Sequence, residues 1–193
     1  MPPDRPRPHF RYNAGMSETP TGRVTAALEA AGVPFELIRI DPANADTAAF
    51  CATYGYPPER SCNTIIVVSK KEPRSFCACV VLATTQLDVN RRVRTLLGAS
   101  RASFAGADEM KALTGMELGA VTAFALPPDL PLYVDRRVMQ CDWVILGGGG
   151  RDAKIRLDPK TLERFGARTI DNLAVERPPA PGPATGPGPA PHP

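Results

Sequence analysis

Thr114-Gly115-Met116-Glu117-Leu118-Gly119-Ala120-Val121-Thr122-Ala123, followed by Leu132-Tyr133-Val134-Asp135 and by Gly147-Gly148-Gly149-Gly150, is the most informative part of this sequence. Its first segment has two glycines four apart and neither a helical nor a strand period, which describes a shaped loop. Glycine is placed where the chain takes positive φ or where another group approaches the backbone. A short strand then ends in a lone aspartate, and a second strand runs into four glycines.

Outward from this core, the pattern predicts a mixed α/β (α+β) domain over residues 18–175. Thr21–Ala31 carries Val24, Leu28 and Ala31 at helical spacing, with Pro20 before it and Gly32 after it. Residues 35–40 alternate as a strand. Asp46 suits the N-cap of a helix through Tyr54, closed by Gly55. Residues 64–68 and 76–82 are β-rich and nearly continuously apolar, so they predict a hairpin of central strands covered on both faces. Asp88 predicts a capped helix with Val89, Val93, Leu96 and Leu97 as its apolar stripe. A strand at 102–104 and a short helix at 108–113 precede the glycine loop. Strands at 132–134, 143–146 and 154–157 follow it, and Asp158-Pro159 predicts a last helix with proline at its first position. The expectation is several hairpins in one sheet.

The ends differ. Eight prolines fall between Pro178 and Pro193, interleaved with Gly and Ala. Such a segment cannot repay its ordering entropy, so 176–193 predicts a disordered Pro/Gly/Ala-rich tail. Residues 1–17 predict a disordered N-terminal extension, with Met16 as an alternative start and no apolar run of a secretory signal.

Hydrophobic content of 43% and charged content of 22% are ordinary for a soluble protein. No stretch approaches the roughly 18 apolar residues of a membrane span. The five cysteines, an odd number, predict reduced thiols in a cytoplasmic protein. The net charge is +3, of which Arg5, Arg7, Arg11 and Asp4 supply two units. A domain near +1 argues against DNA binding or the tracking of many phosphates, though not against touching the end of an RNA.

The histidines, His9 and His192, both lie in the terminal segments. Neither a Cys/His metal set nor a Ser/His or Cys/His nucleophile system is therefore expected. Cys77 and Cys79 share one face of a strand and read as small core residues before they read as ligands. Gly147–Gly150 is followed by neither Gly-Lys-Ser/Thr nor a helix, so it reads as a tight turn first and a ligand loop second. Asp135 reads as a turn former or as an acid. Arg91, Arg92 and Arg94 read as a solvated helix face or as a phosphate contact.

Taken together, the helix–strand–helix opening, Cys62-Asn63-Thr64, the helix after Gln86-Leu87-Asp88, the Thr114-Gly115 to Gly119 loop, Val134-Asp135 and the late glycine turn before Asp158-Pro159-Lys160-Thr161-Leu162 resemble the YbaK/prolyl-tRNA synthetase-associated family of trans-editing domains. The resemblance spans about 21–174. It implies a mixed, largely antiparallel sheet with surrounding helices. It also implies hydrolysis of amino acids mis-esterified to tRNA, with no metal or cofactor. The expected partners are the aminoacyl-tRNA 3′ end and an aminoacyl-tRNA synthetase.

By the same resemblance Asn63, Gly119, Ala120 and Thr122 are the catalytic positions. Thr64, Val121, Asp135, Gly147 and Gly148 bind substrate. The chain departs from the family pattern at three places: Asn63 stands where a lysine is usual, Ala123 replaces the proline of a Gly-x-x-x-Pro loop, and Gly147 stands where some members have serine. These changes leave a non-catalytic binding protein for a tRNA end, small ligand or protein as the alternative.

Overall fold

The structure, a computed structural model, describes residues 19–177. The N-terminal segment 1–17 read above as disordered lies outside the described residues, and so does the C-terminal segment 176–193 apart from Glu176 and Arg177.

The described residues open with α1 (Pro20–Ala30), whose N-cap Thr19 accepts from Gly22 N–H and whose Thr21, Val24 and Leu28 are buried. Strand β1 (Glu36–Arg39) and helix α2 (Thr47–Tyr54) follow, α2 ending at Gly55 with φ of 72°. Strands β2 (Cys62–Ser69) and β3 (Phe76–Leu82) pair antiparallel with Asn63 opposite Val81. The expected hairpin is present, and both strands are covered on two faces. Cys62, Ile66, Ala78 and Val80 join one core, while Val67, Cys77, Cys79 and Val81 join a second. This alternation is the period-two geometry of a strand with apolar residues on both sides.

After β4 (Thr85–Leu87), Asp88 accepts from Arg91 N–H as expected of a cap, but the turn it starts is a π-helix over Val89–Val93 that continues as α3 (Arg94–Leu96). Strand β5 (Ala102–Phe104) and helix α4 (Ala107–Thr114) come next. Then follow β6 (Leu132–Asp135), α5 (Arg136–Met139), β7 (Val144–Gly147), β8 (Ala153–Leu157), α6 (Thr161–Arg164), β9 (Arg168–Ile170) and β10 (Ala174–Glu176).

Two expectations are corrected. The strands form three sheets rather than one: β5-β2-β3-β6-β9, β1-β8-β7 and β10-β4. In the largest, β3–β6 and β6–β9 are parallel. And α6 begins at Thr161, because Asp158 folds back to accept from Lys160 N–H and spends Pro159 in a turn.

One detail of the large sheet positions the site. Strand β5 pairs with β2 only over Val67–Ser69, and its last bond runs from Ala105 N–H to Ile66 O. At the other end of β2, Ser61 bridges Ile145 of β7. Between these two attachments the edge of β2 over residues 63–65 has no neighbouring strand among the described residues. A gap in sheet pairing walled by other segments is a natural place for a ligand.

Candidate functional site

A cavity of about 420 Å³ occupies this gap. Asn63, Thr64, Gly119, Val121 and Gly147, all singled out in the sequence, border it together. Cys62, Ile66, Met110 and Val121 give it an apolar end. Asp46, Thr47 and Lys154 complete its polar wall, and Phe104 and Leu118, 57% and 69% exposed, stand at its mouth.

Asn63 is held from α2. The Thr47 hydroxyl donates to Asn63 Oδ1 at 2.7 Å, which leaves the amide N–H2 as the donor end. Thr64 Oγ1 is buried and has no hydrogen-bond partner. A buried hydroxyl without a partner costs about 1–3 kcal/mol.

The glycine loop divides into two tasks. Gly115 ends α4 at φ of 67° and its carbonyl accepts from Arg23. Gly119, at φ of 83°, is the residue that shapes the wall. A Cβ there would lie 2.7 Å from Arg151 Nη1 and 2.9 Å from Asp46 Oδ1. Arg151 fastens this rim by donating to Leu118 O at 2.8 Å and to Pro42 O at 3.1 Å. One guanidinium thereby ties the glycine loop to the segment that leads into α2.

Gly147 is glycine for a packing reason. A Cβ there would come within 2.6 and 2.7 Å of the Val121 and Ala120 carbonyl oxygens. The loop is laid directly on the end of β7, and Gly149 N–H donates to Ala120 O at 3.1 Å.

Four of the expected site residues lie off the cavity wall. Ala120 and Thr122 are buried behind it, and the Ala120 N–H is engaged by Glu117 O. Gly148 donates its N–H to Ala153 O in the β7–β8 turn. Asp135 is 1% exposed. It caps α5 by accepting from Arg137 N–H, and its other oxygen accepts from Ala174 N–H at 2.8 Å. Its carboxylate ties β6 to β10.

Sequence reasoning passed over Lys154. It is 5% exposed, and its ammonium donates to Ala45 O at 2.6 Å and lies 5.5 Å from the Phe50 ring. Burial pushes its pKa down to about 8, against the upward pull of the Asp46 carboxylate. Cys62, on the apolar wall, is pushed the other way. Burial raises its thiol far above the ordinary range, with Cys141 adding to the effect, so it is no thiolate nucleophile at neutral pH. Among the described residues, no three of His, Cys, Asp and Glu converge as metal ligands.

A second, more open cavity of about 570 Å³ is lined by Arg91, Arg92 and Arg137 with Asp88 and Glu176. It also includes Ala174, which belongs to the second core, whereas the apolar end of the β2-edge cavity belongs to the first. The two are separate features.

The chain belongs to the aminoacyl-tRNA editing domain family, which its sequence matches over residues 41–165. Among solved structures it is similar to the hypothetical protein APE2540, with 29% identity and a TM-score of 0.70 over 77% of this chain and 97% of that one. It is also similar to a candidate trans-editing enzyme for prolyl-tRNA synthetase, with 24% identity and a TM-score of 0.69 over 80% of this chain and 98% of that one. At that identity the second likeness speaks for the fold. The fold is that of the YbaK-like editing domains. No helix among the described residues is long and apolar enough to cross a membrane.

Proposed function

We propose that this protein hydrolyses the ester that joins a wrongly attached amino acid to the 3′ end of tRNA, acting in trans in the cytoplasm and without a metal or cofactor. Water attacks the ester carbonyl carbon, the bond to the ribose oxygen breaks, that oxygen takes one of the water's two protons, and the other passes to solvent. The amino acid leaves as its carboxylate. An aminoacyl ester is already activated, so positioning and stabilisation of the developing oxyanion supply most of what it needs.

The observation that carries this reading is the convergence of Asn63, Thr64, Gly119, Val121 and Gly147 on one cavity at the open edge of β2. Its apolar end, formed by Cys62, Ile66, Met110 and Val121, suits an apolar aminoacyl side chain. The amide of Asn63, whose oxygen is held by Thr47, offers its N–H2 to the ester. Phe104 at the mouth offers an exposed ring on which a terminal base can stack. A synthetase that supplies the mischarged tRNA is the proposed protein partner.

Release of labelled amino acid from a panel of mischarged tRNAs tests the proposal. Hydrolysis of at least one substrate well above the uncatalysed rate is expected, and inertness toward all of them overturns it. The neutral Asn63 and the unlocked Ala123 favour one second reading, a binding protein that uses the same cavity without chemistry. That reading expects an inert protein that still binds 3′-aminoacylamino-adenosine, in which an amide replaces the ester.

A further inference from the structure

The geometry points to Lys154 as the cationic residue of the site, supplied from β8 and donating a hydrogen bond to the ester carbonyl oxygen as it becomes an oxyanion. This rests on the deacylase reading above and adds the residue that carries the charge.

Lys154 forms no ion pair within 4 Å among the described residues. A lysine is among the side chains least often buried, and when it is, a carboxylate usually pairs with it. Here the ammonium is 5% exposed and its hydrogen-bond partner is a neutral carbonyl, Ala45 O. Its ammonium lies 5.5 Å from the Phe50 ring, has Asp46, Cys51 and Arg151 as further neighbours, and belongs to a residue that borders the cavity. An ammonium has three donors, and one is spent on Ala45. The cavity is where the others can be used.

The charge around it is arranged for a ligand. Asp46 stands on the same cavity wall with its side chain 70% exposed, at the N-cap position of α2 but without a capping hydrogen bond. Arg151 Nη1 lies 4.0 Å away, at the outer limit of an ion pair. A substrate carrying both an α-ammonium and a carbonyl dipole meets Asp46 and Lys154 on one wall. Cys51 and Asp46 are the titratable neighbours that favour the charged lysine, and Arg151 opposes it. Asn63 on β2 brings no charge, so Lys154 is the one buried cation bordering this cavity among the described residues.

The strands explain why the charge arrives from β8. Ala153, Ile155 and Leu157 of β8 are buried, Ile155 and Leu157 within the first core. Lys154 alternates to the other face, where α2 and its preceding turn cover the small sheet. The step itself leaves Lys154 protonated throughout. It lends a hydrogen bond to the carbonyl oxygen and takes no proton from water.

The experiment compares wild type with Lys154→Met, Lys154→Arg and the pair Asn63→Lys/Lys154→Met on the best mischarged tRNA found. Lys154→Met is expected to lower kcat/KM at least tenfold while Tm is held or raised. Moving the cation to β2 in the double variant is expected to recover part of that loss. The wild-type rate should fall as pH rises through about 8, with a limb that Lys154→Met lacks. Wild-type kcat/KM in a folded Lys154→Met protein, or an unchanged alkaline limb, overturns the inference and leaves the deacylase reading standing. If wild type is inert on every ester, the deacylase reading falls. Titration with 3′-aminoacylamino-adenosine then decides, because equal affinity of wild type and Lys154→Met removes the anchor role as well.

Discussion

The Thr47 hydroxyl donates to Asn63 Oδ1 across 2.7 Å, so the first turn of α2 sets which end of that amide faces the cavity. An amide has a donor end and an acceptor end, and a single fixed bond chooses between them. In a site where the substrate offers a carbonyl oxygen, presenting the donor end is the useful choice.

Thr47→Val is therefore expected to lower kcat/KM about two- to tenfold, the worth of one neutral hydrogen bond of about 0.5–1.5 kcal/mol. Asn63→Ala should do the same or worse, and the double variant should lose less than the sum. Full additivity in steady-state deacylation kinetics would separate the two residues.

Gly147→Ala is expected to destabilise the protein by about 1–3 kcal/mol, because the new methyl meets two backbone carbonyls rather than a movable side-chain end. Urea unfolding reads the cost. A crystal structure of the variant should show the 119–121 wall displaced from β7. An unperturbed wall with wild-type stability would contradict this account of the glycine.

Lys154→Met is expected to stabilise the fold at pH 7. The native pKa of Lys154, about 8, lies below that of an unfolded lysine, near 10.5. Between those values the unfolded chain binds more protons, so wild-type stability gains with rising pH. Below about pH 8 the full cost of burying the charge is present. Relief of that cost, less the bond to Ala45 O, is on the order of 2 kcal/mol. The difference between variant and wild type should shrink between pH 8 and 10.5. Chemical denaturation at pH 7, 9 and 10.5 checks the trend, and a variant less stable at pH 7 would refute it.

Asp135→Asn is expected to cost about 1–3 kcal/mol, since both carboxylate oxygens accept backbone N–H groups and an amide can offer only one acceptor. Hydrogen exchange should report earlier opening at Ala174 and at Arg137. Unchanged protection at both would contradict the structural role.

Exhaustive chelation is expected to leave activity and Tm unchanged, as a metal-independent reaction requires. Loss of deacylation that added zinc or magnesium restores would refute that part of the proposal.

The β2–β3 hairpin, α1 and the glycine loop were legible because each is written locally: a period, a cap or a turn. Strands β9 and β10 and helix α5 were not. Each has only three or four residues, and they depend on distant partners such as the Asp135 carboxylate bound to Ala174, 39 residues on. Within the site, Asn63 and Thr64 stood out through the family resemblance. Lys154 did not, because a lysine alternating with Ala153, Ile155 and Leu157 reads as the solvent side of a strand. Its burial comes from Ala45, 109 residues earlier in the chain. Asp135 kept two readings for the complementary reason: a lone acid at a strand end looks the same whether it faces a ligand or caps the next helix.

Strand β5 leaves β2 at Ala105, just before α4 begins, and that departure point works as a gauge. Two more residues of pairing would run β5 across Thr64 and close the opening; two fewer would lengthen it by about 7 Å. The bore of the opening is thus written in the length of one peripheral strand, while Asn63, Lys154 and Gly119 sit on other segments. On the deacylase reading proposed above, selectivity for side-chain size can drift by insertion or deletion near residues 98–106 without disturbing those three residues.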